Sequence, residues 1–92
     1  SVVLRRGTTV LDAVCFYCGA TNPFASGVGY TCEGTAFQKA ATISACGNNL
    51  DQSIERKPGG AAGNGQDSND SANDWANVTP SNPQNLMSPA TP

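Results

Sequence analysis

The sequence predicts an all-β, loop-rich, disulfide-stapled fold, and three observations carry that prediction. β-branched residues crowd the stretch from Ser1 to Tyr17, with a Gly turn in its middle. Four cysteines occur without a single histidine. Charged residues are only 13% of the chain, so Asn, Ser, Thr and Gly supply its polarity, as on an extracellular β-protein surface. At 92 residues the chain makes one domain at most, with a core small enough to need extra staples.

The elements follow in order. "SVVLRRGTTVLDAVCFY" reads as a hairpin with strands at 1–6 and 9–17. In its second arm Val10, Asp12, Val14 and Phe16 share one face, and Leu11, Ala13, Cys15 and Tyr17 the other. Neither face is purely polar, so both are expected to be partly covered. Asp12, the one charge on this arm, belongs at a sheet edge or in an ion pair. From Gly19 to Asn49 small residues dominate, with Phe24, Tyr30 and Phe37 as spaced anchors. "FQKAATISA" has faint helical spacing, but Thr42 and Ile43 suit a short strand or turn equally. "QSIERK" is a strand candidate stopped by Pro58-Gly59-Gly60, and "DWANVT" another stopped by Pro80. The segment 86–92 is expected to be an extended, proline-rich tail after a domain spanning 1–85.

Cys15, Cys18, Cys32 and Cys46 form an even set, which favours disulfides and an oxidising location. Zinc ordinarily draws on two close cysteine pairs or on added histidines, and neither is present. Four cysteines allow three pairings. The favoured one joins Cys15 to Cys18 and Cys32 to Cys46, the second bond closing a Gly/Ala/Thr-rich loop.

Composition excludes several functions. A net charge of −2 with basic residues in two adjacent pairs plus Lys39 gives no phosphate-binding stripe, so no nucleic-acid partner is expected. No window is long and apolar enough for a membrane span. The start carries no signal peptide, which fits a mature or internal fragment. Without histidine, and with carboxylates that do not cluster in an apolar setting, the chain is not read as an enzyme. Arg5, Arg6, Arg56 and Lys57 are expected to face water or pair with carboxylates.

"DSNDSAND" is the oxygen-rich stretch. Asp67, Asn69 and Asp70 have the hard oxygen donors that calcium takes, and the spacing Asp67-x-Asn69-x-Ser71 imitates the first half of a calcium loop without its central glycine or distal glutamate. The competing reading is a ladder of Asx turns in which these side chains satisfy local amides. No other cofactor is indicated. Two sequons, Asn69-Asp70-Ser71 and Asn77-Val78-Thr79, have no more than chance weight in so Asn-rich a chain.

Taken in order, "SVVLRRGTTVLDAV", "CEGTA", "SIERKPGG", "DSNDSANDW" and "TPSNPQN" resemble the C-terminal half of the lamin tail domain in its secreted bacterial form. The matching positions are Val2–Val14, Glu33-Gly34-Thr35, Ser53-Ile54-Glu55-Arg56, Asp67–Asp70, Asp74-Trp75 and Thr79-Pro80. The resemblance implies an immunoglobulin-like β-sandwich, partial here and completed by upstream strands or by strands of a neighbouring subunit. It makes Trp75 and Ile54 structural anchors, with Trp75 packed against Ile54 and the hairpin. It also implies an extracellular or cell-surface structural or binding module, a subunit of a filament or other surface assembly that self-associates through protein contacts. The alternatives are an accessory, substrate-localising domain of a secreted hydrolase such as a nuclease, and a calcium-dependent adhesive domain.

Overall fold

A computed structural model describes residues 1–47, 50–83 and 87–89. The strands are β1 (Val2–Arg6), β2 (Thr9–Val14), β3 (Phe16–Cys18), β4 (Phe37–Ala40), β5 (Ser53–Arg56) and β6 (Trp75–Val78). A single helical turn, α1 (Ser71–Asp74), and 3-10 turns at Ile43–Ala45 and Gly60–Ala62 complete the regular structure. The chain is therefore strand-rich and disulfide-stapled. Its strands are arranged as three two-stranded sheets, β1–β2, β3–β4 and β5–β6.

The hairpin forms where its β-branched arms and Gly7 predict it. Gly7 takes φ +62° in the turn, and β1 runs antiparallel to β2 with a register shift between Leu4 and Arg5. The second arm is shorter than expected. It stops at Val14, and the chain resumes as β3 with a different partner, in parallel with β4. The cause sits at Cys15, whose N–H donates to the Ser71 hydroxyl and whose carbonyl accepts the Phe37 N–H. Both ladder groups of this residue are committed elsewhere, so the hairpin cannot continue through it.

Burial in the second arm follows position rather than face. Ala13, Val14 and Cys15 are buried while Val10, Leu11 and Phe16 are exposed, because only the base of the hairpin meets the body of the protein. With Ala36, these three are the buried hydrophobic residues among those described. So small a core leaves cross-links and buried hydrogen bonds a large share of the fold's stability.

All four cysteines are paired, but as Cys15–Cys32 and Cys18–Cys46 rather than Cys15–Cys18 and Cys32–Cys46. Strand geometry explains the correction. Residues 16–18 are extended, which puts Cys15 and Cys18 about 10 Å apart at their Cα atoms, beyond the reach of a disulfide. The observed Cα separations are 5.4 and 6.1 Å. The two bonds close overlapping loops, tying both the 19–31 segment and the Ile43–Ala45 turn back to β3.

The strand candidates in the second half form as expected. β5 and β6 pair antiparallel with Arg56 opposite Trp75 and Ile54 opposite Asn77. "FQKAATISA" resolves into strand β4 followed by the Ile43–Ala45 turn. Beyond β6, Ser81 donates its N–H and hydroxyl to the Asp51 carboxylate, strapping the exit of the sheet to its entry. The expected tail 86–92 lies largely outside the described residues. Among the described residues no helix is long and apolar enough to cross a membrane.

Gly34 is the tightest backbone position. It has φ +57°, and a Cβ there would lie 2.8 Å from Asp70 Cα and 2.9 Å from the Asn69 carbonyl. A Gly34→Ala variant is expected to lose about 2 kcal/mol from conformational strain and the forced separation of the two loops. That is a fall of about 10 °C in Tm for a domain of this size, measured by thermal unfolding.

Candidate functional site: the Ser71–Trp75 turn and the Arg56 hub

The site grows from a polar turn that the sequence disguises as linker. Ser71 and Asp74 are 1% and 0% exposed, the most buried polar residues described. Ser71 donates its N–H and hydroxyl to the Glu33 carbonyl, at 2.8 and 3.1 Å, and its Oγ accepts the Cys15 N–H. The Ala72 N–H donates to the Thr35 carbonyl, and the Thr35 N–H donates back to Asp70 Oδ1 at 2.9 Å. Three chain segments distant in sequence thus meet on one helical turn.

Asp74 organises the other side of that turn. Its Oδ2 accepts the N–H groups of Ser68 at 2.8 Å and Asp70 at 3.3 Å. Oδ1 accepts the Ser68 hydroxyl at 2.8 Å and Gln66 Nε2 at 3.2 Å. Burial by itself would raise the Asp74 pKa. The donors from Ser68, Gln66 and Asp70 overcome that effect and hold it down to about 2, against an ordinary 3.8. A buried carboxylate with four donors is fixed in place and stays ionised across the physiological range.

Arg56 links this turn to the hairpin. Its side chain is 12% exposed; Nη2 donates to Asp12 Oδ2 at 2.5 Å and Nη1 to the Gln66 carbonyl at 2.9 Å, with Asp67 Oδ1 3.9 Å away. The guanidinium stacks over Trp75 at 4.8 Å from the ring centroid, a contact worth about 1 kcal/mol. Asp12 is accordingly an ion-pair partner. Next to Arg56, Glu55 accepts Asn64 Nδ2 and the Gly60 N–H, which hold its pKa below the ordinary 4.5. Lys57 donates Nζ to the Asn73 carbonyl at 2.8 Å.

Trp75 is half-buried and lines an apolar cleft of about 120 Å³ with Val2, Leu4, Asp12, Ala13 and Val14. Ile54, also half-buried, lies diagonal to Trp75 on the same sheet face, since Arg56 opposes Trp75 and Asn77 opposes Ile54. The cleft opens beside Val2 and Leu4, each 60% exposed.

One carboxylate oxygen each of Asp67 and Asp70 is already engaged. Asp67 Oδ1 accepts the Asn69 N–H at 3.2 Å in an Asx turn and faces Arg56; Asp70 Oδ1 accepts the Thr35 N–H. Asn69 sits in the left-handed region with φ +57°, against Gly34. The arrangement is a ladder of turns. Among the described residues no three His, Cys, Asp or Glu side chains converge as a metal cage.

Sequence reasoning read Ser71 as a calcium-loop position and sequon hydroxyl, and Asp74 as the companion of Trp75, and gave neither a buried joining role. The signal that finds them is the spacing Ser68-x-Asp70-Ser71-x-x-Asp74, in which a carboxylate one helical turn on can collect the amides that precede it. Comparison with protein-family models, curated proteins and solved structures finds no match.

Two outcomes are expected from this geometry. A folded-state pKa held below the unfolded one contributes stability that is complete above 3.8 and is lost as pH falls through about 2. Asp74→Asn should therefore lower Tm at neutral pH and flatten the acid limb of a Tm-against-pH profile. Millimolar calcium should leave the melting temperature unmoved, because the Asp67 and Asp70 oxygens would have to give up their amide partners to bind it; a rise would show a site formed by rearrangement.

Proposed function

We propose that the chain is a structural, protein-binding module of an extracellular or cell-surface assembly, a filament subunit in its simplest form, with no chemistry of its own. The observation that carries this reading is the β1–β2 hairpin. Within the described residues it is a two-stranded ribbon, with Val2, Leu4 and Leu11 exposed and the Trp75 cleft at its base. Such a ribbon is marginal alone and gains from an added strand. The partner that fits is an extended segment lying along the hairpin edge, with apolar side chains entering the cleft and carboxylates meeting Arg5 and Arg6.

The lamin-tail resemblance agrees with this reading. In an immunoglobulin-like sandwich the hairpin and the β5–β6 pair would belong to layers packed across Trp75 and Arg56, and further strands would widen each layer. Those strands would come from elsewhere in the same polypeptide or from a neighbouring copy. The two disulfides suit the oxidising setting of a surface protein.

Sedimentation velocity across a concentration series, with electron microscopy of the concentrated sample, tests the assembly. The chain is expected to associate, and a Val2→Lys, Leu4→Lys double variant to remain monomeric with its Tm little changed, since both side chains are already exposed. Monodisperse monomers of the unaltered chain at high concentration, with no ordered assemblies, would remove the self-association reading.

A further inference from the structure

Of the chain's asparagines, Asn64 alone is followed by glycine, and its side chain pins a loop to the strand that carries Arg56. Nδ2 donates to Glu55 Oε1 at 3.0 Å and to the Arg56 carbonyl at 2.8 Å, so the amide spends its donors on β5. The same Glu55 oxygen accepts the Gly60 N–H at 2.9 Å, and the Gln66 N–H donates to the Lys57 carbonyl at 3.0 Å. These bonds close the 57–66 loop around the Asn64 amide.

An Asn-Gly pair also has chemistry of its own. Glycine has no Cβ to shield its nitrogen, which can therefore reach the side-chain carbonyl carbon of the preceding asparagine. Gly65 is exposed, its φ lies outside the left-handed region, and a Cβ there would meet nothing within 4 Å. The fold makes no demand for glycine at this position, whereas the chemistry depends on it.

We propose that Asn64 is a self-modification site, a slow and irreversible release for the loop it pins: the Gly65 nitrogen attacks Asn64 Cγ, and the amide that binds β5 is replaced by a carboxylate. The Gly65 N–Asn64 Cγ bond forms, the Cγ–Nδ2 bond breaks, and Nδ2 leaves as ammonia with the proton lost from Gly65. Water then opens the cyclic imide. Opening at Cγ leaves aspartate at 64; opening at the main-chain carbonyl leaves isoaspartate, with a methylene added to the backbone. Nothing is oxidised or reduced, and water is the co-reactant.

The fold acts on both ends of this reaction. Beforehand, Cγ must turn towards Gly65 and Nδ2 must give up Glu55 and the Arg56 carbonyl, so the native chain reacts through local opening of the loop. Afterwards, the new carboxylate faces the Glu55 carboxylate and the Arg56 carbonyl, acceptor against acceptor. Glu55 also loses the Asn64 donor, which does most to hold its pKa below 4.5. Isoaspartate shifts the chain just ahead of Gln66, whose carbonyl takes Arg56 Nη1 at 2.9 Å, so the disturbance reaches the Arg56 hub.

Peptide mapping by mass spectrometry, with fragmentation that separates aspartate from isoaspartate, tests the site. The unaltered, disulfide-intact chain is held at neutral pH beside the reduced chain in denaturant. Conversion at Asn64 is expected in both, several-fold slower in the folded chain. Glu55→Ala removes one acceptor and is expected to speed conversion several-fold in the folded chain alone. Gly65→Ala is expected to slow it many-fold in both states with Tm little changed. The converted chain, separated by its added negative charge, is expected to lose hydrogen-exchange protection at the Gly60 and Gln66 amides. Equal rates in folded and denatured chains, an Asn64 still intact in the folded chain long after the denatured chain has converted, an unchanged rate in Glu55→Ala, or a converted chain with native protection at those amides overturns the proposal. The rates and the exchange of the unaltered chain decide the matter even where a variant folds poorly.

Discussion

The docking of the Ser71–Asp74 turn into the Glu33–Thr35 loop is the constraint on which the rest of the structure depends. The apolar residues buried among those described are small ones, Ala13, Val14, Cys15 and Ala36, and burial of so little surface cannot fix three separate strand pairs relative to one another. Ser71 does so with directional bonds. It takes the Cys15 N–H at the end of the hairpin and the Glu33 carbonyl in the loop, while the next residue bonds Thr35 just before β4. Because these groups are shielded from water, each lost bond would strand a buried partner, and the turn is accordingly held in one geometry. Gly34 makes the approach sterically allowable, and Asp74 rigidifies the turn from behind.

Around that joint, the disulfides and Arg56 divide the remaining work. Cys15–Cys32 restrains the long connection between β3 and β4, where Gly, Ala and Thr offer few apolar anchors, and Cys18–Cys46 ties the segment after β4 back to β3; on the chain-entropy account each bond contributes about 3 kcal/mol. Arg56 does what an apolar core would do elsewhere. It covers the face of Trp75, neutralises Asp12 and caps the Gln66 carbonyl, joining the hairpin to β5 and β6 through one planar group. Lysine has the charge but neither the fork nor the stacking plane, so the position is specific to arginine.

What was legible in the sequence follows from how local each determinant is. The hairpin, β5 and β6 could be read because β-branched residues with a Gly turn mark the first, and Pro58 and Pro80 stop the other two, and Asp12, expected at a sheet edge or in an ion pair, is in the pair. The cysteine pairing could not be read, since it depends on Cys15 leaving the hairpin ladder and on residues 16–18 being extended, both consequences of tertiary contacts. Ser71 looked like any turn serine. Its burial is decided by Glu33 and Cys15, 38 and 56 residues away, and composition carries no trace of such pairings. Nor does anything local in "CEGTA" or "DSNDSANDW" say that the two stretches touch, as they do where Gly34 lies against Asp70.

The carboxylates also give the domain two opposed responses to acid. Asp74 and Glu55 are held ionised by donors, so protonating them removes bonds the native state relies on, and stability falls as pH drops through their lowered values. Glu33 works the other way, because burial and the charges of Asp12 and Asp67 raise its pKa above 4.5, so the folded state holds its proton more tightly than the unfolded chain does. The two effects occupy different windows: the Glu33 gain comes above 4.5, whereas the Asp74 loss begins below 3.8 and continues to about 2. Between them the carboxylates favour the folded state most in mildly acidic surroundings.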